Sequence, residues 1–362
     1  MKLQPPEYVL AVKPYAPGKP IEELEREYGL TGSIKLASNE NPLGPSPLAL
    51  EAISQALSRL HRYPDGSGYY LVRKLSEKFG VRPENIILGS GSDDIIGMLT
   101  RALLYPGDEV IMSRPSFSMY EIMTRVSNAR PVFVPLRSLA VDLDDIAGAV
   151  TSKTRMIFLT NPHNPAGTIF PADRFGDFLK NIPETVTVVL DEAYVEFARD
   201  PACADSLDFL DDGRPLAALR TFSKIYGLAG LRVGYGFMPP EMVSLLNRVR
   251  QPFNVGSLAQ VAAVAALDDD AFLQKTRQVV HDGLDFLFRE LKRMGVTCFP
   301  TQSNFFLLDV ERNADEVFTA LLREGVIVRS MTSYGYPTYL RVNAGLPEEN
   351  VRFIEALEKV LS

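Results

Sequence analysis

The sequence predicts an α/β protein: a mostly parallel sheet wrapped by helices, followed by a smaller α+β domain. Two observations carry that expectation. From about residue 85 short apolar runs alternate with helical patterns, and several runs, "RMIFLT" and "TVTVVL" among them, are almost wholly apolar. Strands covered on both faces have that composition. Near residue 257 the rhythm changes to long helical stretches separated by a few short strands, the pattern of a segregated α+β unit. A chain of 362 residues is long for a single core and suits such a division.

Taken in order, the proline-rich residues 1–35 read as an N-terminal arm packing on the small domain, 36–256 as the large domain and 257–362 as the small one. "ENIILGSGS" is a strand running into a Gly-rich turn, "DDIIGMLTRALLYPGD" a helix ended by Pro-Gly, and "EVIMSRP" the next strand. "RPVFVPL", "RMIFLTNP", "TVTVVLDEAY" and "LAALRTFSK" follow as further strands. Beyond residue 257 a long helical stretch leads to "VTCFPTQSNFFLLDV", then a helix, "GVIVRS" and "TYLRVNAG". Val351, Ile354, Leu357 and Leu361 stand at helical spacing and predict the core-facing stripe of a final helix. No internal repeat is visible.

Composition removes several function classes. Lys and Arg number 38 against 45 Asp and Glu, a net charge of −7, which argues against a nucleic-acid or anionic-membrane partner. Prolines interrupt the N-terminus where a secretory signal needs its apolar segment, and no apolar run approaches a membrane span, so a cytoplasmic protein is expected. Cys203 and Cys298 are isolated, and His61, His163 and His281 are scattered without metal-site spacing. No metal is expected.

Ligands of open α/β sheets bind beyond the carboxyl ends of the strands, so the residues after each apolar run are the candidates. "GSGSDD" opens a helix, and free backbone N–H groups at a helix start suit a phosphate. Ordinary turn and cap chemistry, with Ser92 as the cap, explains the same residues. "NPHNPAG" brings Asn161 and Asn164, for which an Asn-Pro turn is the plain alternative. Asp191 closes an apolar run, where a carboxylate is costly to bury without a cation or a protonated nitrogen. Lys224 follows "LAALRTFS", and a partly desolvated lysine amine is a nucleophile able to form a Schiff base with an aldehyde. A lysine, a carboxylate and a phosphate cradle in separate strand-end loops meet the three needs of pyridoxal 5'-phosphate (PLP). A dinucleotide reading of "GSGSDD" fails, because its fingerprint requires glycine where Asp94 stands.

In this order "NPHNPAG", "DEAY" and "TFSKIYGLAGLRVGYG" resemble the fold type I PLP-dependent aminotransferases of class I/II. The outer segments "KPYAPGKP", "LASNENPLGPSP", "RYPDGSG", "GVIVRSM" and "YLRVNAG" are similar to those of the histidinol-phosphate aminotransferases, and the match runs from about residue 8 to the C-terminus. The resemblance implies a mostly parallel seven-stranded sheet in the large domain, and a homodimer with shared active sites. It implies that Lys224 carries PLP and shuttles a proton, that Asp191 pairs with the pyridine nitrogen, and that Tyr194 and Asn164 bond the 3′ oxygen. The cofactor phosphate is expected on the backbone of Gly91, Ser92 and Asp93, on the hydroxyls of Thr221 and Ser223, and on Arg232, with Tyr63 reaching it from the neighbouring subunit. Phe117 stands where many relatives stack a tyrosine on the ring, and His163 and Ala166 vary "NPHNPAG" without removing a required group.

For the substrate, the resemblance implies that Arg341 grips a carboxylate and that Arg329 and Tyr15 meet a phosphate ester, with Asn39 and Glu40 at the entrance. By itself Arg329 reads as a surface arginine ending an edge strand. The implied reaction converts L-histidinol phosphate and 2-oxoglutarate to imidazole-acetol phosphate and L-glutamate, in histidine biosynthesis. An aromatic amino-acid aminotransferase, a threonine-phosphate decarboxylase and a PLP-binding regulator without turnover are the alternatives; the last usually carries a basic DNA-binding extension.

Overall fold

The computed structural model describes residues 3–15, 17–210 and 213–362; positions 1, 2 and 16 of the expected arm and 211 and 212 of the expected large domain lie outside them. In chain order the strands are β1 (Ile34–Lys35), β2 (Ile86–Gly89), β3 (Glu109–Arg114), β4 (Arg130–Pro135), β5 (Thr154–Thr160), β6 (Thr187–Asp191) and β7 (Leu216–Thr221). They continue with β8 (Gly234–Phe237), β9 (Thr297–Cys298), β10 (Phe305–Asp309), β11 (Val326–Ile327), β12 (Arg329–Ser330) and β13 (Tyr339–Asn343).

Seven strands form the large sheet in the order β2-β8-β7-β6-β5-β3-β4. Only β8 runs antiparallel to its neighbours; β7, β6, β5, β3 and β4 pair in parallel. The carboxyl ends of β2, β3, β5, β6 and β7 therefore emerge along one edge.

The apolar runs become central strands because helices cover both faces. Met112, Phe158, Val189 and Leu219 face one layer, against Ile95, Ile96, Leu99 and Leu246. Their neighbours Ile111, Ile157, Val188 and Leu190 face the other, against Leu143, Ile146, Phe175 and Phe178. This period-two alternation is the pleat of a strand with two dry sides. Burying a Leu, Val or Phe side chain contributes about 1.5–3 kcal/mol, so sheet and helices stabilise one another.

The second sheet is four-stranded and antiparallel, in the order β12-β13-β10-β9. Behind it lie the 24-residue helix Asp270–Arg293, capped by Asp269, and the final helix Pro347–Leu361. The stripe predicted on that last helix needs one correction. Val351 is 43% exposed, and Phe353 is fully buried beside Ile354 and Leu357. The buried row runs through Asn350, Phe353, Ile354 and Leu357, an i, i+3, i+4, i+7 set from which residue 351 is turned away by one helical step.

Two contacts place the N-terminal segment. β1 pairs in parallel with β11, Ile34 opposite Val326, and Leu24 is buried with Leu322 and Ile327. Further upstream, Lys13 and Tyr15 border a cleft whose other wall is Ser118 and Glu121 of the helix Ser118–Val126. No helix among the described residues is long and apolar enough to cross a membrane.

Candidate active site

The loops beyond β2, β5, β6 and β7 enclose a cavity of about 390 Å³. At its floor Asp191 ends β6 and is 3% exposed. Its Oδ1 accepts the Ala193 N–H at 3.1 Å, and its Oδ2 accepts the Tyr120 hydroxyl at 2.6 Å. Burial pushes the carboxyl up to about 6, against the lowering effect of those two donors. The other charges acting on it, Asp93 and Glu192, are both acidic. A buried carboxylate so placed is complementary to a cationic nitrogen brought in by a ligand.

Lys224 lies in the turn that follows β7. Its Nζ donates to the Ser38 carbonyl at 3.0 Å and sits 5.6 Å from the centre of the Tyr194 ring. Burial, reinforced by the Arg341 charge and opposed by Glu40 and Asp93, lowers it to about 8. The amine thus loses its proton far more easily than an ordinary lysine, and the neutral form is the state a nucleophile requires.

Opposite stands an anion cradle. The helix Ser92–Leu103 begins at Gly91 with no side-chain cap, so Ser92 is the first helical residue and does not cap it. The first N–H groups of that helix are left to the cavity. Gly91 has φ +79, and a Cβ there would lie 2.5 Å from Arg232 Nη2; a Cβ on Gly234 would lie 2.6 Å from the Ser92 nitrogen. Only glycine lets the turn, the arginine and β8 approach this closely. Thr221 Oγ1 donates to Ser223 Oγ at 2.9 Å, and Arg232 Nη2 reaches Asp93 Oδ2 at 3.4 Å.

The small sheet carries two arginines, of which Arg341 meets a residue lining that cavity, Asn164. Arg329 and Arg341 are direct cross-strand partners of β12 and β13, so their side chains leave the sheet on the same face. Arg341 is buried; its Nη1 donates to Asn164 Oδ1 and its Nη2 to the Ala37 carbonyl, both at 2.8 Å, while Nε has no partner among the described residues. Burial lowers Arg341, and the Arg329 charge lowers it further against Tyr194 and Tyr334. Arg329 and Tyr15 border a second cleft of about 710 Å³.

The class I and II aminotransferase profile matches residues 31–357. The chain belongs to the class I and II aminotransferases. Among its relatives within that family, the histidinol-phosphate aminotransferase of Moorella thermoacetica is 49% identical over 357 residues, 98% of this chain and 92% of the relative. That of Desulfotalea psychrophila is 48% identical over 364 residues, 100% and 96% of the two chains. A crystal structure of histidinol-phosphate aminotransferase from Sinorhizobium meliloti in complex with pyridoxal-5'-phosphate superposes with a TM-score of 0.90 at 28% identity, over 98% and 96% of the chains.

In this aminotransferase Gly91, Ser92, Asp93, Phe117, Asn164, Asp191, Tyr194, Thr221, Ser223, Lys224 and Arg232 all line the first cavity, together with Glu40. Asn39 is buried behind it and donates from Nδ2 to the Tyr194 hydroxyl at 3.1 Å. Tyr15 and Arg329 belong to the second cleft. Tyr63 stands apart, 83% exposed and stacked on Phe253 at 4.8 Å. Sequence reasoning missed Tyr120, Thr160 and Ser38, which also line the first cavity. For Tyr120 the signal is a second aromatic one helical turn after Phe117; Thr160 is the last residue of an apolar strand.

Proposed function

We infer that this chain is a histidinol-phosphate aminotransferase, exchanging the amino group of L-histidinol phosphate with 2-oxoglutarate to give imidazole-acetol phosphate and L-glutamate, reversibly, with PLP as cofactor. The observation that carries the reading is the cross-strand pair Arg329 and Arg341, beside Tyr15. A site that alternates between a dicarboxylate and a phosphate ester needs two cations on one face.

The residues fit PLP. Asp191 is a buried acid awaiting a cationic nitrogen, Lys224 offers a depressed amine, and Gly91 and Gly234 keep the cradle open where a Cβ would fill it. Gly91, Ser92, Asp93, Thr221, Ser223 and Arg232 would hold the phosphate, with Tyr63 of a second subunit, and Asn164 and Tyr194 would bond the ring oxygen beside Phe117. Once bound, PLP supplies an aldehyde for covalent capture and a cationic ring that draws electrons from the carbon bearing the amine.

The chain's own groups do the rest. Lys224 Nζ, steadied by the Ser38 carbonyl, takes the proton from the substrate carbon that bears the amine and returns it on the other side of the exchange. Arg341 grips the glutamate carboxylate as a bidentate fork. Arg329 and Tyr15 take the phosphate of histidinol phosphate, and Asn39 holds the Tyr194 hydroxyl in place.

The reading includes a homodimer. Tyr63, 83% exposed, stacks on the half-exposed Phe253, and Tyr69 packs edge-on against the exposed Tyr70; exposed rings of this kind suit a second copy. It also includes a cytoplasmic setting and the division into 1–35, 36–256 and 257–362. The test is a half-reaction: PLP-loaded protein is mixed separately with L-histidinol phosphate, L-phenylalanine and L-glutamate while the cofactor's visible absorbance is followed. Fast bleaching by histidinol phosphate and slow bleaching by phenylalanine is the expected outcome. Phenylalanine as fast or faster would move the chain to the aromatic aminotransferases.

A further inference from the structure

We propose that Tyr120 is a positioning residue for the reaction: through a hydroxyl relay from Thr160 it fixes the Asp191 carboxylate in the orientation and charge state that receive the cofactor's ring nitrogen. The proposal rests on the reading that this cavity holds PLP.

Tyr120 is fully buried, yet it is among the residues lining the cavity. The ring is clamped, stacked on Phe158 at 4.6 Å with an interplanar angle of 3° and set edge-on to Phe117 at 5.6 Å. Its oxygen is 2.6 Å from Asp191 Oδ2 and 2.9 Å from Thr160 Oγ1. An ionised carboxylate only accepts, so the phenol proton points to Asp191. The phenol oxygen must then accept from Thr160, giving a directed chain from Thr160 through Tyr120 to Asp191. Successive hydrogen bonds in a low dielectric reinforce one another.

The relay matters because Asp191 has few other supports. Among the described residues it holds, besides Tyr120, only the Ala193 N–H on its other oxygen. The remaining charges on it, Asp93 in the helix beyond β2 and Glu192 next along the chain, both favour protonation, as burial does. Tyr194 also interacts with it electrostatically. With one donor on each oxygen the carboxylate cannot rotate, and its remaining lone pairs are those open to the cavity. Without the phenol it would swing about one hydrogen bond and take up a proton more readily, and a neutral acid no longer favours a cationic ring nitrogen.

The experiment is PLP binding at equilibrium across pH 5–9, for wild type, Tyr120→Phe, Thr160→Val, Asp191→Asn and the Tyr120→Phe/Asp191→Asn double variant. Tyr120→Phe is expected to weaken PLP about tenfold and to raise the midpoint below which binding fails by about one pH unit, the scale of one hydrogen bond to a charge. Thr160→Val moves both the same way by less. In the Asp191→Asn background Tyr120→Phe adds nothing, because its effect passes through that carboxylate. An equal loss in both backgrounds, or an unchanged midpoint, would overturn the proposal. Should Tyr120→Phe fail to fold, Thr160→Val and its double with Asp191→Asn carry the same comparison. These readouts concern the cofactor alone, so a wrong substrate assignment in the half-reaction would leave them standing.

Discussion

The role proposed for Lys224 makes two opposing demands: it must be dry enough to lose its proton and wet enough to meet a substrate. Burial beside Arg341 resolves this by lowering it to about 8. Covalent capture of PLP by the cofactor-free protein should therefore accelerate as pH rises through about 8, followed by absorbance after rapid mixing. Lys224→Ala should lose both capture and transamination; persistent turnover in that variant would contradict the assigned role. Asp191 has the opposite electrostatics. Its folded carboxyl titrates near 6 against an ordinary 3.8, so between those values the folded chain binds the proton more tightly than the unfolded one. Stability from this group is thus lost as pH rises from 3.8 to about 6. The melting temperature of cofactor-free wild type, relative to Asp191→Asn, should fall across that window and level off above it. Both residues were legible in the sequence, since each follows an apolar run into a strand-end loop, where a charge is costly to bury without a partner. Tyr120 was not, because its contact with Asp191 joins a helix to a strand 71 positions away, a separation no local pattern encodes.

At the scale of elements, the turn bearing Lys224 is held by shape. Gly227 has φ +70, and a Cβ there would run into the carbonyl of Gly44, in the loop that also carries Asn39 and Glu40. Gly227→Ala should destabilise the protein by about 2–4 kcal/mol, from left-handed strain together with a backbone collision. Chemical denaturation would measure it, and PLP capture should weaken with it because the lysine turn must shift. The sequence displays this glycine, while the partner loop it admits lies about 180 residues away. Strand order was hidden in the same way: the alternation of runs announces a parallel sheet, but the antiparallel insertion of β8 between β2 and β7 is settled by packing. The final helix illustrates phase. Its apolar spacing predicted a stripe, and Phe353, not Val351, occupies the inward position.

For the whole molecule, the exposed Tyr63 and the Phe253 ring stacked on it set the prediction of a shared site. If Tyr63 serves the neighbouring subunit, Lys224→Ala and Tyr63→Ala should each impair transamination as homodimers. Refolded together in equal amounts, they should recover about a quarter of wild-type sites, because half the dimers would be mixed and one site in each mixed dimer intact. Sedimentation of the mixture checks the assembly. No recovery in a mixture that sediments as dimers would place each site within one chain.

Residues 34–39 tie the two sheets together along a single short stretch. Ile34 and Lys35 pair with β11, the Ala37 carbonyl takes Arg341, the Ser38 carbonyl takes Lys224, and Asn39 joins Asn343 to Tyr194. This stretch works as a tie rod. Six residues thus carry, without a break, hydrogen bonds to β11, to Arg341 and Asn343 of β13, and to the lysine and tyrosine of the large-domain cavity, so a change in the position of one sheet cannot leave the carbonyl that holds the lysine amine where it was.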